Sequence, residues 1–226
     1  MDKLLATLMP NVVTKIPELL KCTGQTLIMM LITGTISFAI GMVLAVVLTV
    51  TRKGDILENI PLWTVLDKII NFFRSVPFII MIALLIPVTR MIVGTAIGVK
   101  GSIVPLIFGT APFFTRQIES ALAEIERGSI EAAQSIGTSP AGIIFRVYLK
   151  ESVPGIIRGS TITFISLVGL TAMAGAVGGG GLGDFAIRYG YQRYQTDVTI
   201  VTVILLILIV TVIQAVGAFF SRKALH

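Results

Sequence analysis

The chain has few charged residues, and this scarcity is the first guide to its class. Only 13% of its 226 residues are charged, whereas soluble globular domains carry about 25%. The mean hydropathy is +0.93, and the apolar residues stand in long runs. This composition excludes an ordinary soluble domain and indicates a helical membrane protein with several spans.

Residues that usually carry chemistry are also scarce. Cysteine occurs once, as Cys22, and histidine once, as His226 at the end of the chain. A single cysteine excludes an intrachain disulfide and a cysteine metal cluster. The pattern G-x-x-x-x-G-K-[ST] occurs nowhere, so the chain is not its own P-loop ATPase. We therefore predict no catalytic residue, no cofactor-binding residue and no metal site, and hence no enzyme.

The net charge of +6 does not indicate nucleic-acid binding. The basic residues are scattered between apolar runs, as they are where charges flank membrane segments and face lipid head groups. We predict the lipid bilayer as a partner and no nucleic acid.

Five apolar runs predict five transmembrane helices, because about twenty helical residues cross a hydrocarbon core of about 30 Å. The predicted spans cover residues 24–50, 69–88, 101–121, 155–177 and 198–220. Residues 1–23 have apolar positions at helical spacing and predict an amphipathic helix that lies along the membrane surface or packs on the helix bundle. The predicted fold is an all-α polytopic membrane protein with one transmembrane domain over residues 24–221.

The predicted spans are of two kinds. The first and fifth are long and uninterrupted, as lipid-facing helices are. The middle three are broken by Pro, Gly, Ser and Thr, and such helices persist where protein or a water-filled cavity satisfies the freed backbone groups. The middle spans are therefore predicted to surround a pathway, with ordinary packing through small residues as the alternative. Lys and Arg are more frequent in the segments after spans one, three and five, which predicts a cytoplasmic C-terminus and an N-terminus outside.

One polar stretch, residues 128–154, separates the third and fourth spans. Ser129 is the predicted N-cap of a short helix, Glu131 suits its first turn, and Gly137 stops it. Ser139 and Pro140 then start a second helix. Two short helices with small side chains make a compact knob that can enter a partner's groove. The alternative is a loop that only caps the chain's own helices.

This stretch resembles the cytoplasmic EAA loop of ABC importer permeases. The family pattern is EAA, three residues, Gly, nine residues, an aliphatic residue, one residue, Leu and Pro. The chain matches it through Leu149 but has Lys150 in place of the Pro. The resemblance implies a type I importer permease fold in which this loop docks on a separate ATPase. The residues implied to couple to the ATPase are Glu131, Ala132, Ala133, Ile136 and Gly137.

Two further stretches resemble amino-acid permeases. FRSVPFII, from Phe73 to Ile80, resembles a segment typical of that class, and GAVGGGGLGDFAIRYGY, from Gly175 to Tyr191, is similar to the D-/L-methionine importer permease subgroup. The resemblance implies a homodimer of this chain in the cell membrane, two copies of an ATPase that holds the ATP and Mg²⁺, and an extracytoplasmic methionine-binding protein. Import of another amino acid or amine is the alternative, and an ion-coupled transporter a more distant one, because the long spans lack charged relay residues.

A methionine path needs polar groups for the zwitterion and a soft apolar surface for the thioether. The fourth span offers both, and the predicted path or gate residues are Ser166, Thr171, Met173 and Gly175. Met173 is flexible and polarisable, which suits a gate, although simple packing is an equal alternative.

The glycine run formally contains G-x-G-x-x-G at Gly178, Gly180 and Gly183. That pattern signals dinucleotide binding only between a strand and a helix. Here it follows a predicted membrane span, so flexibility or a close backbone approach is the better interpretation.

Overall fold

The computed structural model describes residues 9–224, in which helices follow one another with short connections and no β-strand occurs. Residues 1–8 of the predicted amphipathic segment, and His226, lie outside this range. The α-helices are α1 (Pro10–Val13), α2 (Ile16–Thr51), α3 (Ile60–Ser75), α4 (Phe78–Leu84), α5 (Ile86–Val93), α6 (Gly98–Ala123), α7 (Arg127–Ser135), α8 (Pro140–Ile143), α9 (Leu149–Glu151), α10 (Val153–Ala174), α11 (Gly181–Phe185) and α12 (Thr196–Ala224). Three π-helical segments, Ile144–Tyr148, Gly175–Gly179 and Ala186–Tyr191, lie between them.

The boundary predicted between the amphipathic segment and the first span is absent. Helix α2 starts at Ile16 and passes through Gly24 to Thr51 without a break. One glycine costs a helix about 1 kcal/mol relative to Ala, which the packing of a 36-residue helix offsets. The helix stops where the apolar run meets Arg52 and Lys53, before Gly54 with a left-handed φ of +79°.

The second predicted span is not one helix. It is divided among α3, α4 and α5, with breaks at Val76–Pro77 and at Leu85. Val76 is extended, with φ −81° and ψ 124°, because a following proline disfavours the helical conformation. Helix α5 then meets α6 at an angle of 120°.

The prolines of the third predicted span do not interrupt it. Helix α6 is continuous past Pro105, Gly109 and Pro112. Both prolines are buried, so neighbouring protein surrounds the positions where each proline removes a helical hydrogen bond. Irregular backbone at membrane depth is tolerated under that condition.

Three of the described helices are long and apolar enough to cross a bilayer: α2, α10 with its π-helical extension, and α12. The bent pair α5 and α6 adds a fourth if it is counted as one span. In α12 only 11% of the most apolar window is buried, as expected of a lipid-facing helix. The chain is thus a multi-pass helical membrane protein, and the count of five spans stays a prediction.

The described chain forms two compact units. Unit 1 contains the residues up to Thr35, Pro77–Gly109 and Phe164–Ile213; unit 2 contains Ile36–Val76, Thr110–Thr163 and the residues from Gln214. In unit 1 two buried clusters hold the fold, one around Met29, Leu106 and Leu167 and one around Cys22, Leu182 and Phe185. In unit 2 one cluster joins the ends of α2 and α6 to α7 and to the residues that follow it.

Candidate functional site

The EAA-like stretch forms a surface feature of unit 2, which we call the coupling segment (residues 127–151). It begins with α7, whose N-cap is Glu126, in extended backbone. The predicted N-cap, Ser129, lies inside the helix, and its amide donates to the Glu126 carbonyl at 3.1 Å. The prediction of Ser129 as N-cap was therefore wrong. Arg127 instead pairs with Glu131 one turn later, at 3.2 Å, and both side chains are exposed.

Helix α7 buries one side and exposes the other. Ile130 is 8% exposed and belongs to the same buried cluster as Ile118 and Leu122 of α6. Ala133 packs half-buried against that cluster. The sequence spacing that puts Ile130 and Ala133 on one stripe thus fixes which side of α7 faces the core.

The five predicted coupling residues lie together on α7 and at its C-terminus. Glu131 and Ala132 are exposed, and Ile136 is 83% exposed. Gly137 ends the helix with a φ of +77°, which a residue with a Cβ rarely adopts. The amides of residues 136, 137 and 138 bond back to carbonyls of the last turn. The exposed side chain of Ile136 therefore projects from a surface of small residues, which includes Ala132 and Gly137, and this arrangement suits docking.

The second half of the coupling segment begins as predicted. Ser139 Oγ accepts a hydrogen bond from the Gly142 amide at 3.2 Å, and Pro140 is at the start of α8. A π-helical turn follows and shifts the register, so that Tyr148 is fully buried while Phe145 is 68% exposed. Lys150, which departs from the family pattern, lies in α9 and is exposed.

A second element, the turn of residues 52–58, was missed by sequence reasoning. Its Asp55 carboxylate accepts the Tyr148 hydroxyl at 2.8 and 2.9 Å, Arg52 Nε at 3.0 Å and the Ile56 amide at 2.8 Å. Tyr148 is 93 positions away in the chain. No local pattern signals such a contact, since Asp55 reads in sequence as an ordinary polar residue of a connector.

The electrostatics of this contact favour the neutral tyrosine. Burial raises the pKa of the Tyr148 hydroxyl above its ordinary value of 10.0, and the hydrogen bond and charge of Asp55 raise it further, against a smaller opposing effect of Arg52. The hydroxyl therefore stays protonated and donates to the carboxylate at physiological pH. A hydrogen bond to an ionised acceptor is roughly twice as strong as one between neutral groups.

A groove of about 450 Å³ separates the turn of residues 52–58 from α7. It is lined by Arg52, Lys53, Gly54, Asp55, Ile56, Ile125, Arg127, Ile130, Glu131 and Gln134. Arg127 Nη2 crosses to the Gly54 carbonyl at 3.1 Å. The turn and the coupling segment are thus joined at both ends of the segment, through Arg127 and through Tyr148.

The four predicted path residues lie in unit 1 on two faces of α10 and its extension. Ser166 is half-buried and Met173, two turns later, is 40% exposed, so these two share the side that the chain leaves partly uncovered. Thr171 is buried, and its hydroxyl donates to the Val168 carbonyl at 2.8 Å. Gly175 is buried where the chain turns back on itself.

The glycine run makes close backbone contacts. A Cβ added at Gly175 would lie 2.8 Å from the Gly180 carbonyl oxygen, and one at Gly183 would lie 2.6 Å from Ala172 Cα and closer still to the Ala172 carbonyl oxygen. Gly181 donates its amide to Gln25 Oε1 at 2.9 Å. The predicted close approach is confirmed, and the run lies between helices rather than after a strand.

In residues 9–224, no group of three or more His, Cys, Asp or Glu side chains is placed to hold a metal ion. The coupling segment has a highly exposed apolar side chain, Ile136, with small neighbours, and its inner side packs in the buried cluster of unit 2.

Comparisons with known proteins agree with this geometry. Residues 40–226 match the family described as "Binding-protein-dependent transport system inner membrane component". A probable D-methionine transport system permease protein MetI from Vibrio cholerae serotype O1 is 52% identical over 175 residues, which are 77% of this chain and 78% of that protein. The D-methionine transport system permease protein MetI of Salmonella typhimurium is 46% identical over 157 residues, 70% of this chain and 72% of that protein.

The solved structures give the same result. A structure of inward-facing conformations of the MetNI methionine ABC transporter superposes with a TM-score of 0.91 at 43% identity, covering 93% of this chain and 98% of that chain. An amino acid ABC transporter at 19% identity has a TM-score of 0.78 and shares the fold.

Proposed function

We infer the function from the family, because this chain belongs to the family of binding-protein-dependent transport system inner membrane components. We propose that it is the permease subunit of an ATP-driven importer of methionine. The substrate follows from relatives that are D-methionine transport permeases, at 52% and 46% identity. The chain forms the path through the membrane, and a separate ATPase binds ATP and Mg²⁺.

The observation that carries this proposal is the two-sided construction of the coupling segment. Its outer side presents Ile136, 83% exposed, beside Glu131 and Ala132. Its inner side, through Ile130 and Tyr148, belongs to the buried cluster of unit 2. A partner that binds the outer side can therefore displace the helix ends that this cluster joins. We infer that the ATPase docks here, on Glu131, Ala132, Ala133, Ile136 and Gly137.

A second copy of this chain is the proposed partner in the membrane. The side of α10 that carries Ser166 and Met173 is only partly covered by the chain itself, and two such sides facing each other would enclose a path. The hydroxyl of Ser166 suits the zwitterion and the thioether of Met173 is soft and polarisable. Thr171 and Gly175 would support this path from within the chain, since both are buried.

The orientation proposed for the chain puts the coupling segment in the cytoplasm. Basic residues at the end of α2 (Arg52, Lys53), in the coupling segment (Arg127) and at the end of α12 (Arg222, Lys223) all belong to unit 2. Clusters of Lys and Arg favour the cytoplasmic side. The N-terminus is then outside, on the side of the membrane where the extracytoplasmic methionine-binding protein acts.

The test is uptake of labelled methionine into proteoliposomes that contain this chain, the ATPase and the binding protein. We expect uptake that requires ATP and the binding protein and that unlabelled methionine outcompetes. Competition by another amino acid but not by methionine would show that the substrate is that other amino acid. Uptake driven by an ion gradient without ATP would overturn the proposal.

A further inference from the structure

The connectivity of the chain links the coupling segment to two membrane helices only. Helix α6 ends at Ala123, just before the segment, and α10 starts at Val153, just after it. Any displacement of the segment is passed to these two helices through the backbone. Helix α2, which ends at Thr51, is far away in sequence and meets the segment only through space: by apolar packing of Ala45 and Val50 in the buried cluster, and by directional polar contacts from the turn that follows it.

We propose that Asp55 and Tyr148 are positioning residues that lock the end of α2 to the coupling segment, so that all three helices follow the ATPase together. This inference rests on the proposed function, because it takes the coupling segment as the place where the ATPase acts.

On the side of α2, backbone hydrogen bonds fix the position of Asp55. The Leu57 amide donates to the Val50 carbonyl at 3.0 Å, and the Asn59 amide to the Thr51 carbonyl at 2.9 Å. These bonds fold the turn of residues 52–58 back on the last turn of α2. Asp55, with a side chain only 6% exposed, is therefore held at a fixed place relative to the helix end.

On the side of the coupling segment Tyr148 is equally fixed. It is 1% exposed and shares a buried cluster with Ile130 and Ile143, which come from the two halves of the segment. A side chain so enclosed cannot change rotamer without moving its neighbours. Any shift of the segment therefore pulls on the Asp55 carboxylate.

The contact is strong enough to serve as a lock. The hydroxyl lies at 2.8 and 2.9 Å from the two carboxylate oxygens, so one proton is shared between them. Removal of the hydroxyl would leave a nearly buried carboxylate with fewer donors, which costs more than an ordinary lost hydrogen bond. Arg127, which donates to the Gly54 carbonyl at 3.1 Å, adds a weaker and more exposed contact.

The test uses the whole reconstituted complex and the variants Tyr148→Phe, Asp55→Asn and their combination. We expect assembly with the ATPase to persist and methionine uptake per ATP hydrolysed to fall about tenfold in each single variant, the change that loss of a charge-assisted bond produces in an equilibrium. The double variant should be no worse than the single ones, because all three break the same contact.

Asp67→Asn is the matched control. Asp67 is also partly buried in unit 2 and binds Arg116 of another helix, but it does not touch the coupling segment. We expect it to lower the melting temperature and leave uptake per ATP unchanged. An equal loss of uptake per ATP in Asp67→Asn, or no loss in Tyr148→Phe, would overturn the lock.

A distance measurement separates this inference from the proposed function. Spin labels at the exposed positions Glu58 and Ser135 report on the turn and on α7. In the otherwise unaltered complex, ATP should leave their separation unchanged, and in Tyr148→Phe the distribution should broaden. A separation that changes with ATP before any mutation refutes the lock, whereas absent methionine uptake with a constant separation refutes the proposed substrate alone.

Discussion

Truncation of Ile136 to alanine is the sharpest test of the docking surface. The side chain is 83% exposed, so Ile136→Ala removes almost no contact within the chain, and its effect on the free energy of unfolding should be within about 0.5 kcal/mol. If the ATPase buries this side chain, the change removes three buried carbons at about 0.8 kcal/mol each. The expected loss of binding free energy is about 2 kcal/mol, or roughly a thirtyfold rise in Kd.

The same helix provides the matched control. Ile130 lies six residues earlier and is only 8% exposed, within the buried cluster of unit 2. Ile130→Ala should cost about 2–5 kcal/mol of stability. The two substitutions are chemically identical, so a difference between them reflects which side of α7 each residue faces.

The assay measures ATPase binding to the chain in lipid nanodiscs, with the melting temperature of each variant beside it. We expect Ile136→Ala to weaken binding at an unchanged melting temperature, and Ile130→Ala to lower the melting temperature. An ATPase affinity for Ile136→Ala within a factor of about two of the original would refute the reasoning, because an uncovered isoleucine cannot contribute to docking.

Three further predictions concern the glycine run, the path and the pH dependence of the lock. Gly183→Ala places a Cβ 2.6 Å from Ala172 Cα and should lower the melting temperature strongly. Gly24→Ala is the control: no atom lies within 4 Å of the added Cβ, so the melting temperature should be equal or higher. Similar changes of melting temperature in both variants would contradict the packing argument. Met173→Ala should leave assembly intact and reduce methionine uptake per ATP, and unchanged coupling would exclude Met173 as a gate. Because the folded-state pKa of Tyr148 is raised, its contribution to stability is complete below the ordinary tyrosine pKa of 10.0 and is lost as pH rises through the raised value. The difference in melting temperature between the original chain and Tyr148→Phe should therefore be constant from neutral pH to about pH 9, and a steady decline over that range would contradict the assignment.

The elements that sequence analysis predicted well depend on neighbours in the chain. Gly137 ends α7 with a φ of +77°, because glycine adopts that conformation without a Cβ penalty. Ser139 and Pro140 start α8 by local hydrogen bonding and a preset φ. The apolar stripe of Ile130 and Ala133 faces the core because a helix repeats every 3.6 residues.

The elements predicted wrongly depend on competition between local preference and packing. Prolines were read alike in the second and third spans, yet Pro77 separates two helices while Pro105 and Pro112 lie inside continuous α6. Within α6 both prolines are buried, and surrounding protein supports the helix where its own bonds are missing. Glu126 in place of Ser129 as the N-cap shows the same limit, since several residues could start α7 and local preference does not choose among them.

Composition and local pattern alone determined that this chain is a helical membrane protein without a P-loop of its own, with a polar EAA-like segment between two apolar spans. These properties follow from which residues occur and how they are spaced over a few turns. Only the tertiary structure decided that Asp55 meets Tyr148, 93 positions away, and that the glycine run is a close backbone contact. Such contacts arise when distant segments pack, and one polar residue in a connector carries no periodic signal that identifies its partner.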